Sequence, residues 1–415
     1  MLGIKTKIKN HFDSYLNLVK SPKKSPFFIE NLILALKFGK QLKKESTKYD
    51  IQLPLSKKVN KYAALAVKVL ANNMPNNLGN WSINKPHSLS THLEKKVVEI
   101  IKNYYQCSAE INGHLTSGST EGNIYAAWIG RNYLMKKLKL NSTEKIAFLQ
   151  SSLGHYSLNK AADLINIKNE ELAIDAINWN IDLEYLNKTL EKFFQKGFRG
   201  FLIPLTIGYT VTGTEDDIEK ICKIAEKFKK SHQEVDFFIW IDAAFSGISK
   251  IFTTKNFRPF ENRSIQLITT DFHKLLAIPY SAGLTLYRKG LTNFIKRDMP
   301  YIGLEDTTLL GSRSGMSAIA TWFTLINLNE KKLKNTFKQA IAKKESFLKE
   351  LMLQNLKLKV IDNQNSIQAC LVLQNQEAEK FLLEHYNLEN LKYKLLFSNG
   401  HKNLKVVKLY FFPRF

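Results

Sequence analysis

The chain has 415 residues and a formal net charge of +24, and 44% of its residues are hydrophobic. This fraction supports a sizeable core and argues against a disordered chain, while the length allows one large domain plus a smaller one. No apolar run approaches the roughly 20 residues of a membrane-spanning helix, and the first residues lack the apolar core of a secretory signal. Three cysteines without metal-ligand spacing indicate a reduced, cytoplasmic setting and no metal site.

The basic excess is compatible with a nucleic acid, an anionic membrane surface or an acidic substrate as partner. The lysines, however, are spread through the whole chain, and the clusters at 20–24 and 40–44 lack interleaved aromatic residues. No zinc-finger or RNA-binding signature is present. We therefore expect a solvated, lysine-rich surface with no nucleic-acid or membrane partner, and nucleic-acid binding is the alternative.

The first part of the chain, residues 1–75, is predicted to be a basic, mainly helical segment. Amphipathic spacing predicts helices at 27–43 and 58–71. The stretch at 72–88 is rich in Asn, Pro and Gly and is predicted to be a loop.

Residues 76–320 alternate helical patterns with short apolar runs that are often β-branched. This alternation predicts a large α/β domain with a mostly parallel sheet, in which a helix at 218–230 separates two strands. The predicted strands are 145–150, 200–205, 237–241, 265–269 and 283–287.

Residues 321–415 are predicted to form a small C-terminal α+β domain. Its predicted elements are a helix that continues from about 321 through 351, strands at 356–361 and 367–373, a helix at 377–385 and a strand at 406–412.

The first chemical motif is the stretch TSGSTEGN at 116–123, which opens a helical pattern. Small residues let backbone N–H groups approach an anion, the helix N-terminus adds a favourable dipole, and the Ser119 and Thr120 hydroxyls add donors. The sequence therefore predicts a phosphate site here. The alternative is an ordinary capping box that binds no ligand.

Two further side chains follow predicted strands, where α/β folds bind their ligands. His155 offers an imidazole that can stack on an aromatic ring, and its alternative is an ordinary hydrogen-bonded histidine. Asp242 ends the apolar run FFIWID, where a buried carboxylate needs a cationic partner such as a protonated pyridinium. The alternative for Asp242 is the N-cap of the next segment.

Lys274 follows the β-branched run at 265–270 within an apolar neighbourhood. Desolvation there favours the neutral amine, which can attack an aldehyde and form a Schiff base. Its alternative is a surface lysine. A phosphate loop, a stacking imidazole, a buried carboxylate and a nucleophilic lysine in this order are what pyridoxal phosphate (PLP) requires.

Seven segments carry a resemblance to a known family: NNLGN, TSGSTEGN, GHYSLNKAAD, PLTIGYTVTGTEDDI, WIDAAFSG, FHKLLAIPYSAG and GSRSG. Through them the chain resembles the group II PLP-dependent amino-acid decarboxylases of fold type I. Within that group it is similar to the bacterial and plant histidine and serine decarboxylases. The resemblance runs from about residue 76 to 324. It implies a PLP-dependent transferase-like large domain and a homodimer with shared active sites.

The resemblance also implies roles for individual residues. Lys274 matches the Schiff-base lysine, Asp242 the pyridinium partner and His155 the ring-stacking, proton-handling imidazole. Tyr301 matches a proton donor on a mobile loop. The cofactor-binding set implied by the resemblance is Ser119, Thr120, His155, Thr206, Asp242, Ala244, His273, Lys274 and Ser312, the last reaching the phosphate of the partner subunit.

The chain departs from the family pattern at several positions. Asp271 stands three residues before the lysine, where this subgroup usually has Ser, so we expect its carboxylate to point away or to meet a cation. Tyr209 replaces a usual threonine, and Asn80 and Trp81 replace a usual Asp and Pro in a loop that shapes the substrate pocket.

The sequence thus predicts a PLP-dependent carboxy-lyase that converts an L-amino acid to its amine and carbon dioxide, with histidine as the first expected substrate and serine as the next. Another PLP carbanion reaction, such as a lyase or aldehyde synthase, is the alternative on the same scaffold. A basic nucleic-acid-binding pseudoenzyme is a further alternative from another class.

Overall fold

The computed structural model describes residues 59–69, 75–78, 89–301 and 304–414. The predicted helix at 27–43 and most of the loop at 72–88 lie outside these residues, as do Asn80 and Trp81.

The helices within the described ranges are α1 (Lys61–Val69), α2 (Leu89–Tyr104), α3 (Ser119–Lys137), α4 (Tyr156–Leu164), α5 (Leu183–Gln195), α6 (Ile218–Ser231), α7 (Gly247–Thr253), α8 (Phe272–Leu275), α9 (Gly315–Asn327), α10 (Glu330–Met352) and α11 (Gln376–Tyr386).

The strands are β1 (Asn76–Leu78), β2 (Ile111–Thr116), β3 (Ile146–Ser151), β4 (Lys168–Leu172), β5 (Gly200–Thr206), β6 (Asp236–Asp242), β7 (Ile265–Asp271), β8 (Gly283–Arg288), β9 (Arg297–Met299), β10 (Leu304–Asp306), β11 (Ser312–Ser314), β12 (Leu358–Asp362), β13 (Gln368–Leu373), β14 (Leu391–Phe397) and β15 (Gly400–Tyr410).

The central sheet has the order β2-β8-β7-β6-β5-β3-β4. Strands β7, β6, β5, β3 and β4 pair in parallel, while β8 is antiparallel to both β7 and β2. Every residue of β5 and β6 is buried, which is typical of parallel strands covered by helices on both faces. The predicted α/β fold with a mostly parallel sheet is confirmed.

Helix α3 lies directly against this sheet because glycines remove the side chains that would hold it away. A Cβ on Gly130 would lie 2.7 Å from the Phe238 ring, and one on Gly122 would lie 2.6 Å from Thr269 Cβ. The close approach fixes the position of the α3 N-terminus relative to β6 and β7.

A second sheet is formed near the C-terminus, with all pairs antiparallel in the order β12-β13-β15-β14. Helices α10 and α11 contribute apolar side chains to its core, among them Leu348 and Leu382. The small α+β unit at this end is therefore present, but the domain boundaries at 75/76 and 320/321 stay predictions, and α9 runs across the second of them.

Two sequence predictions were wrong in part. The single helix predicted from 321 to 351 is two helices, because Asn329 interrupts the pattern and caps α10 by accepting a hydrogen bond from Lys332 N. Within the predicted loop at 72–88, residues 76–78 form β1 and pair with β11. No helix in the described ranges is both long and apolar enough to cross a membrane.

Candidate active site

The carboxyl ends of four parallel strands, β3, β5, β6 and β7, meet at one edge of the central sheet, where open α/β sheets bind ligands. Strand β2 ends at the same edge, because Thr116 of β2 and Asp271 of β7 both face Gly283 in the ladder. The topology therefore brings the N-terminus of α3 next to the segment that carries Lys274.

The loop between β2 and α3 is tightly packed. Gly118 has φ +136°, and a Cβ there would lie 3.0 Å from His273 Cε1 and 3.2 Å from Asp271 Oδ1, so only glycine suits the position. Ser119 follows as the first residue of α3, and its buried Oγ has no hydrogen-bond partner among the described residues. An unsatisfied hydroxyl at the N-terminus of a 19-residue helix is suited to an anionic ligand. Thr120, beside it, is partly buried.

Asp271 places a buried carboxylate between Ser119 and Lys274. Its Oδ1 accepts a hydrogen bond of 2.6 Å from Ser119 N, and its Oδ2 lies 2.9 Å from Lys274 Nζ and 3.5 Å from His273 Nε2. Burial alone would raise the pKa of Asp271, but Lys274 and His273 together with the Ser119 N–H hold it below its usual value. As expected from the sequence, the unusual carboxylate meets a cation.

Lys274 is not a surface lysine, because only 15% of its side chain is exposed. Its Nζ lies 5.8 Å from the centre of the Phe245 ring. Next to it, His273 Nδ1 donates to the carbonyl of Ala282 at 2.8 Å, and burial lowers the pKa of this imidazole. The ring of Tyr280 packs 4.6 Å from the His273 ring.

Asp242 is the last residue of β6 and is 3% exposed. Its Oδ2 accepts a hydrogen bond of 2.7 Å from Asn123 Nδ2, and its Oδ1 accepts one of 3.1 Å from Ala244 N. Asp242 is not the N-cap of the next helix, because Ser246 occupies that position before α7. A carboxylate can accept more than these two hydrogen bonds, so it has acceptor capacity left for a cationic partner.

His155 is the N-cap residue of α4 and is partly exposed at the sheet edge. Its Nδ1 lies 2.8 Å from Ser157 Oγ. Burial lowers the pKa of the imidazole, although Asp242 acts in the opposite direction. Because the usual pKa of His is already near 6.5, the ring is neutral at neutral pH.

Thr206 ends β5 directly beside Asp242 in the ladder. Its N–H donates to Asp216 Oδ2 at 2.7 Å, and the Tyr209 hydroxyl lies 2.8 and 2.7 Å from the two carboxylate oxygens. Burial raises the pKa of Asp216 to about 6, against the effect of these donors. Tyr209, where the family has a threonine, thus holds the turn that follows Thr206.

The same turn is held from the C-terminal sheet. Gln368 Nε2 donates to the carbonyl of Tyr209 at 3.2 Å, and the Tyr410 hydroxyl donates to the carbonyl of Thr210. Strands β13 and β15 therefore contact the backbone next to the candidate site.

Two predicted site residues are not part of this cluster in the single chain. Tyr301 is 85% exposed, and residues 302–303 after it lie outside the described ranges. Ser312 is exposed on β11, where its Oγ accepts from Asn76 Nδ2 at 3.2 Å. Its neighbour Arg313 is buried and forms an ion pair with the fully buried Glu94.

The clustered residues fit pyridoxal phosphate. The unsatisfied Ser119 Oγ at a helix N-terminus suits the phosphate, and the amine of Lys274 suits the aldehyde. The buried Asp242 carboxylate suits the ring nitrogen, and the small side chain of Ala244 leaves space for a flat ring. The chemistry of the donors, rather than any single distance, supports this assignment.

Sequence reasoning missed the residues that support this cluster. Asn123, Ser157 and Trp240 form a buried hydrogen-bond network behind Asp242 and His155. Asn123 closes the motif TSGSTEGN, and Ser157 lies in the segment GHYSLNKAAD. Their partners lie on other elements, and nothing in the sequence pairs them.

Comparison with known proteins identifies the family of the chain. The family model described as "Pyridoxal-dependent decarboxylase conserved domain" matches residues 45–371. A tryptophan decarboxylase of Clostridium sporogenes is 34% identical over 218 residues, which are 52% of this chain and 51% of that protein. A histidine decarboxylase of Vibrio campbellii is 28% identical over 249 residues, 60% of this chain and 61% of that protein. The matched part of the chain thus spans less than two thirds of either relative.

Among solved structures, an L-methionine decarboxylase from Streptomyces sp.590 has a TM-score of 0.76 at 17% identity, with 94% of this chain and 93% of that chain covered. At this identity the likeness is one of fold.

Proposed function

Because the chain belongs to the pyridoxal-dependent decarboxylase family, we propose that it removes the α-carboxylate of an L-amino acid as carbon dioxide, with PLP as cofactor. The observation that carries the proposal is the convergence at one sheet edge of the Lys274 amine, the buried Asp242 carboxylate and the unsatisfied Ser119 hydroxyl. The alternative interpretations were a surface lysine for Lys274, an N-cap for Asp242 and an ordinary capping box for Ser119. None of these alternatives explains why the three groups lie together.

When bound, PLP supplies an electron sink for the pair left on Cα as the carboxylate departs. Asp242 would stabilise the positive charge on the ring nitrogen, and Lys274 would provide the amine that carries the cofactor. Ser119 and Thr120, with His273 beside them, would hold the phosphate. The mostly buried site excludes water and strengthens these interactions.

His155 presents a neutral imidazole that would stack on the cofactor ring. Thr206 and Ala244 border the same space. Tyr301 is the proposed proton donor to Cα. Its high exposure in the single chain leaves the side chain accessible to a substrate or to a partner subunit.

We propose histidine as the substrate, from the likeness of GHYSLNKAAD and GSRSG to histidine decarboxylases. Tryptophan is the second candidate, because a tryptophan decarboxylase is 34% identical to this chain. Both substrates carry a nitrogen-containing aromatic ring.

The active assembly is proposed to be a cytoplasmic homodimer. Ser312 supports this, because it lies exposed on β11 and belongs to a block whose serine reaches the partner's phosphate in the family. Sedimentation analysis should give a dimer. A monomer with full activity would contradict the shared site.

The cofactor assignment is tested by borohydride reduction of the purified protein with added PLP. The wild type should show a visible absorbance band, and reduction should fix the cofactor on Lys274. Lys274→Ala should lose both signals, whereas the matched control Lys289→Ala, at an exposed lysine, should keep them. Wild-type protein without any bound cofactor would overturn the proposal.

The reaction is tested by incubating the loaded protein with each of the twenty amino acids. Carbon dioxide and the amine in equal amounts would support decarboxylation, and histidine should give the highest rate. An aldehyde with ammonia would favour an aldehyde synthase instead. Asp242→Ala should lose at least ~100-fold in turnover, as expected when a preorganised charge is removed from a reacting site, and full activity in that variant would contradict the electron-sink role.

A further inference from the structure

A hydrogen-bonded network lies behind the His155 imidazole. Trp240 Nε1 donates to Asn123 Oδ1 (3.0 Å), Asn123 Nδ2 donates to Ser157 Oγ (3.1 Å), and Ser157 Oγ lies 2.8 Å from His155 Nδ1. Asn123 Nδ2 also donates to Asp242 Oδ2 at 2.7 Å. Trp240, Asn123 and Ser157 are completely buried, so water does not compete for these bonds.

The direction of the first bonds follows from the indole donor. An indole N–H can only donate, so the oxygen of the Asn123 amide must face Trp240. The two hydrogens of the amide nitrogen must then face Asp242 and Ser157. At the other end, the backbone N–H of Ser157 lies 3.3 Å from His155 Nδ1. This contact also favours an unprotonated Nδ1, but it is longer than the 2.8 Å contact with Ser157 Oγ, so the orientation of the Ser157 hydroxyl has the larger effect.

We propose that Asn123 is a positioning residue that fixes the tautomer of His155, with the proton on Nε2, while it also donates to the Asp242 carboxylate. By filling an acceptor site on Ser157 Oγ, Asn123 directs the Ser157 hydroxyl hydrogen to His155 Nδ1. One amide thereby sets the hydrogen-bonding state of both groups assigned to the cofactor ring. The inference rests on the proposed function for its chemical meaning, but the tautomer itself is a property of the ligand-free protein.

The chemical consequence is that His155 enters the reaction as a hydrogen-bond donor. Its Nε2–H can hold an anionic oxygen, such as a substrate carboxylate, but Nε2 cannot accept a proton in this state. The charged groups that act on the ring are the anions Asp242 and Asp271 and the cations Lys274 and Lys160. With both signs present, the hydrogen-bond network decides which nitrogen holds the proton of the neutral ring.

The test is nitrogen NMR of ligand-free protein labelled with ¹⁵N-histidine. The chain has nine histidines, and the His155 signals are identified by their loss in His155→Gln. In the wild type, Nδ1 should be unprotonated and Nε2 protonated. A protonated Nδ1 in the neutral ring would overturn the proposal.

Two variants separate positioning from general loosening. In Asn123→Leu, the Ser157 hydroxyl is free to accept from Nδ1–H, so the tautomer ratio should shift about fivefold toward the Nδ1–H form, as expected for one lost hydrogen bond. In Ser157→Ala no hydroxyl is left to accept that proton, so the Nε2–H form should persist. Equal shifts in both variants, or no shift in Asn123→Leu, would contradict the role of Asn123.

The matched control is Asn132→Leu, the same change in the same helix. Asn132 donates to the carbonyl of Phe294, and the variant should leave the His155 signals unchanged. Asn123→Ala provides a second route if Asn123→Leu does not fold: it removes the same amide with a smaller side chain, and the shift should have the same direction.

The outcomes for this inference and for the proposed function are separate. A wild type that shows the expected tautomer but releases no carbon dioxide from any amino acid would defeat the proposed function alone. Decarboxylation without a tautomer shift in Asn123→Leu would defeat the role of Asn123 alone.

Discussion

Replacing Asp271 by Asn should lower the free energy of unfolding of the ligand-free protein by about 3 kcal/mol. The carboxylate accepts from Ser119 N at 2.6 Å and lies 2.9 Å from Lys274 Nζ. An amide keeps an acceptor for Ser119 but turns a donor toward the ammonium, which loses its counter-ion. Breaking a buried pair costs roughly 3–5 kcal/mol. We expect the lower end, because 15% of the Lys274 side chain is exposed against 4% for Asp271.

The pH dependence of this difference gives a second check. Because the pKa of Asp271 is lowered in the folded protein, its contribution is fully present above the unfolded pKa of about 3.9. It is lost as the pH falls through the lower, folded-state pKa. The difference between wild type and Asp271→Asn should therefore be constant from pH 7 to 5 and should shrink in more acidic solution.

Urea denaturation of both proteins at several pH values measures the difference. Glu99→Gln is the control, since it breaks an exposed pair with Lys96 at 3.0 Å, and such pairs contribute only about 0–1 kcal/mol. If Asp271→Asn were as stable as wild type at pH 7, or if the difference grew on acidification, Asp271 would not be the counter-ion of Lys274.

Two further variants test the packing and the buried acid near the site. Gly122→Ala should destabilise the protein by about 1–3 kcal/mol, because the new methyl group would overlap the Thr269 side chain. Thermal unfolding measures the loss. The control Gly311→Ala should show no comparable loss, because a Cβ there meets nothing within 4 Å. The Tyr209 hydroxyl donates to Asp216 and partly offsets the effect of burial, which raises the pKa of Asp216 to about 6. Tyr209→Phe removes this donor, so the pKa of Asp216 should rise further. A raised folded-state pKa makes stability fall as pH rises, so urea unfolding should show a loss of about 1–2 kcal/mol at pH 7 and a smaller loss at pH 5; equal losses would contradict it.

Strands with continuous apolar runs could be predicted from the sequence, and β5 and β6 are examples. Strand β2 was missed because its sequence INGHLT contains Asn, Gly and His and so lacks a continuous apolar run. This strand is held by its pairing with β8, which is distant in the sequence. Strand β4, KNEEL, is an edge strand in which Leu172 is the one buried residue. Edge strands carry few apolar residues, so periodicity does not identify them.

The order of the site residues could be predicted because each stands at the end of a strand. What the sequence could not supply was the contact between distant segments. Ser119 and Asp271 are 152 positions apart, and Asn123 and Asp242 are 119 positions apart. These hydrogen bonds depend on the tight packing of α3 on the sheet, which is a property of the folded chain.

Gln368 and Tyr410 donate hydrogen bonds to the turn at Tyr209 and Thr210. These bonds limit which C-terminal sheets the protein can accept, whether by engineering or in evolution. The family model ends at residue 371, within the C-terminal sheet, which invites exchange of this sheet for the equivalent part of a relative. A chimera of this kind would inherit a turn shaped for two specific side chains of the old sheet. Transplanting both side chains along with the junction is therefore the minimum requirement for a hybrid whose turn beside Thr206 keeps its position.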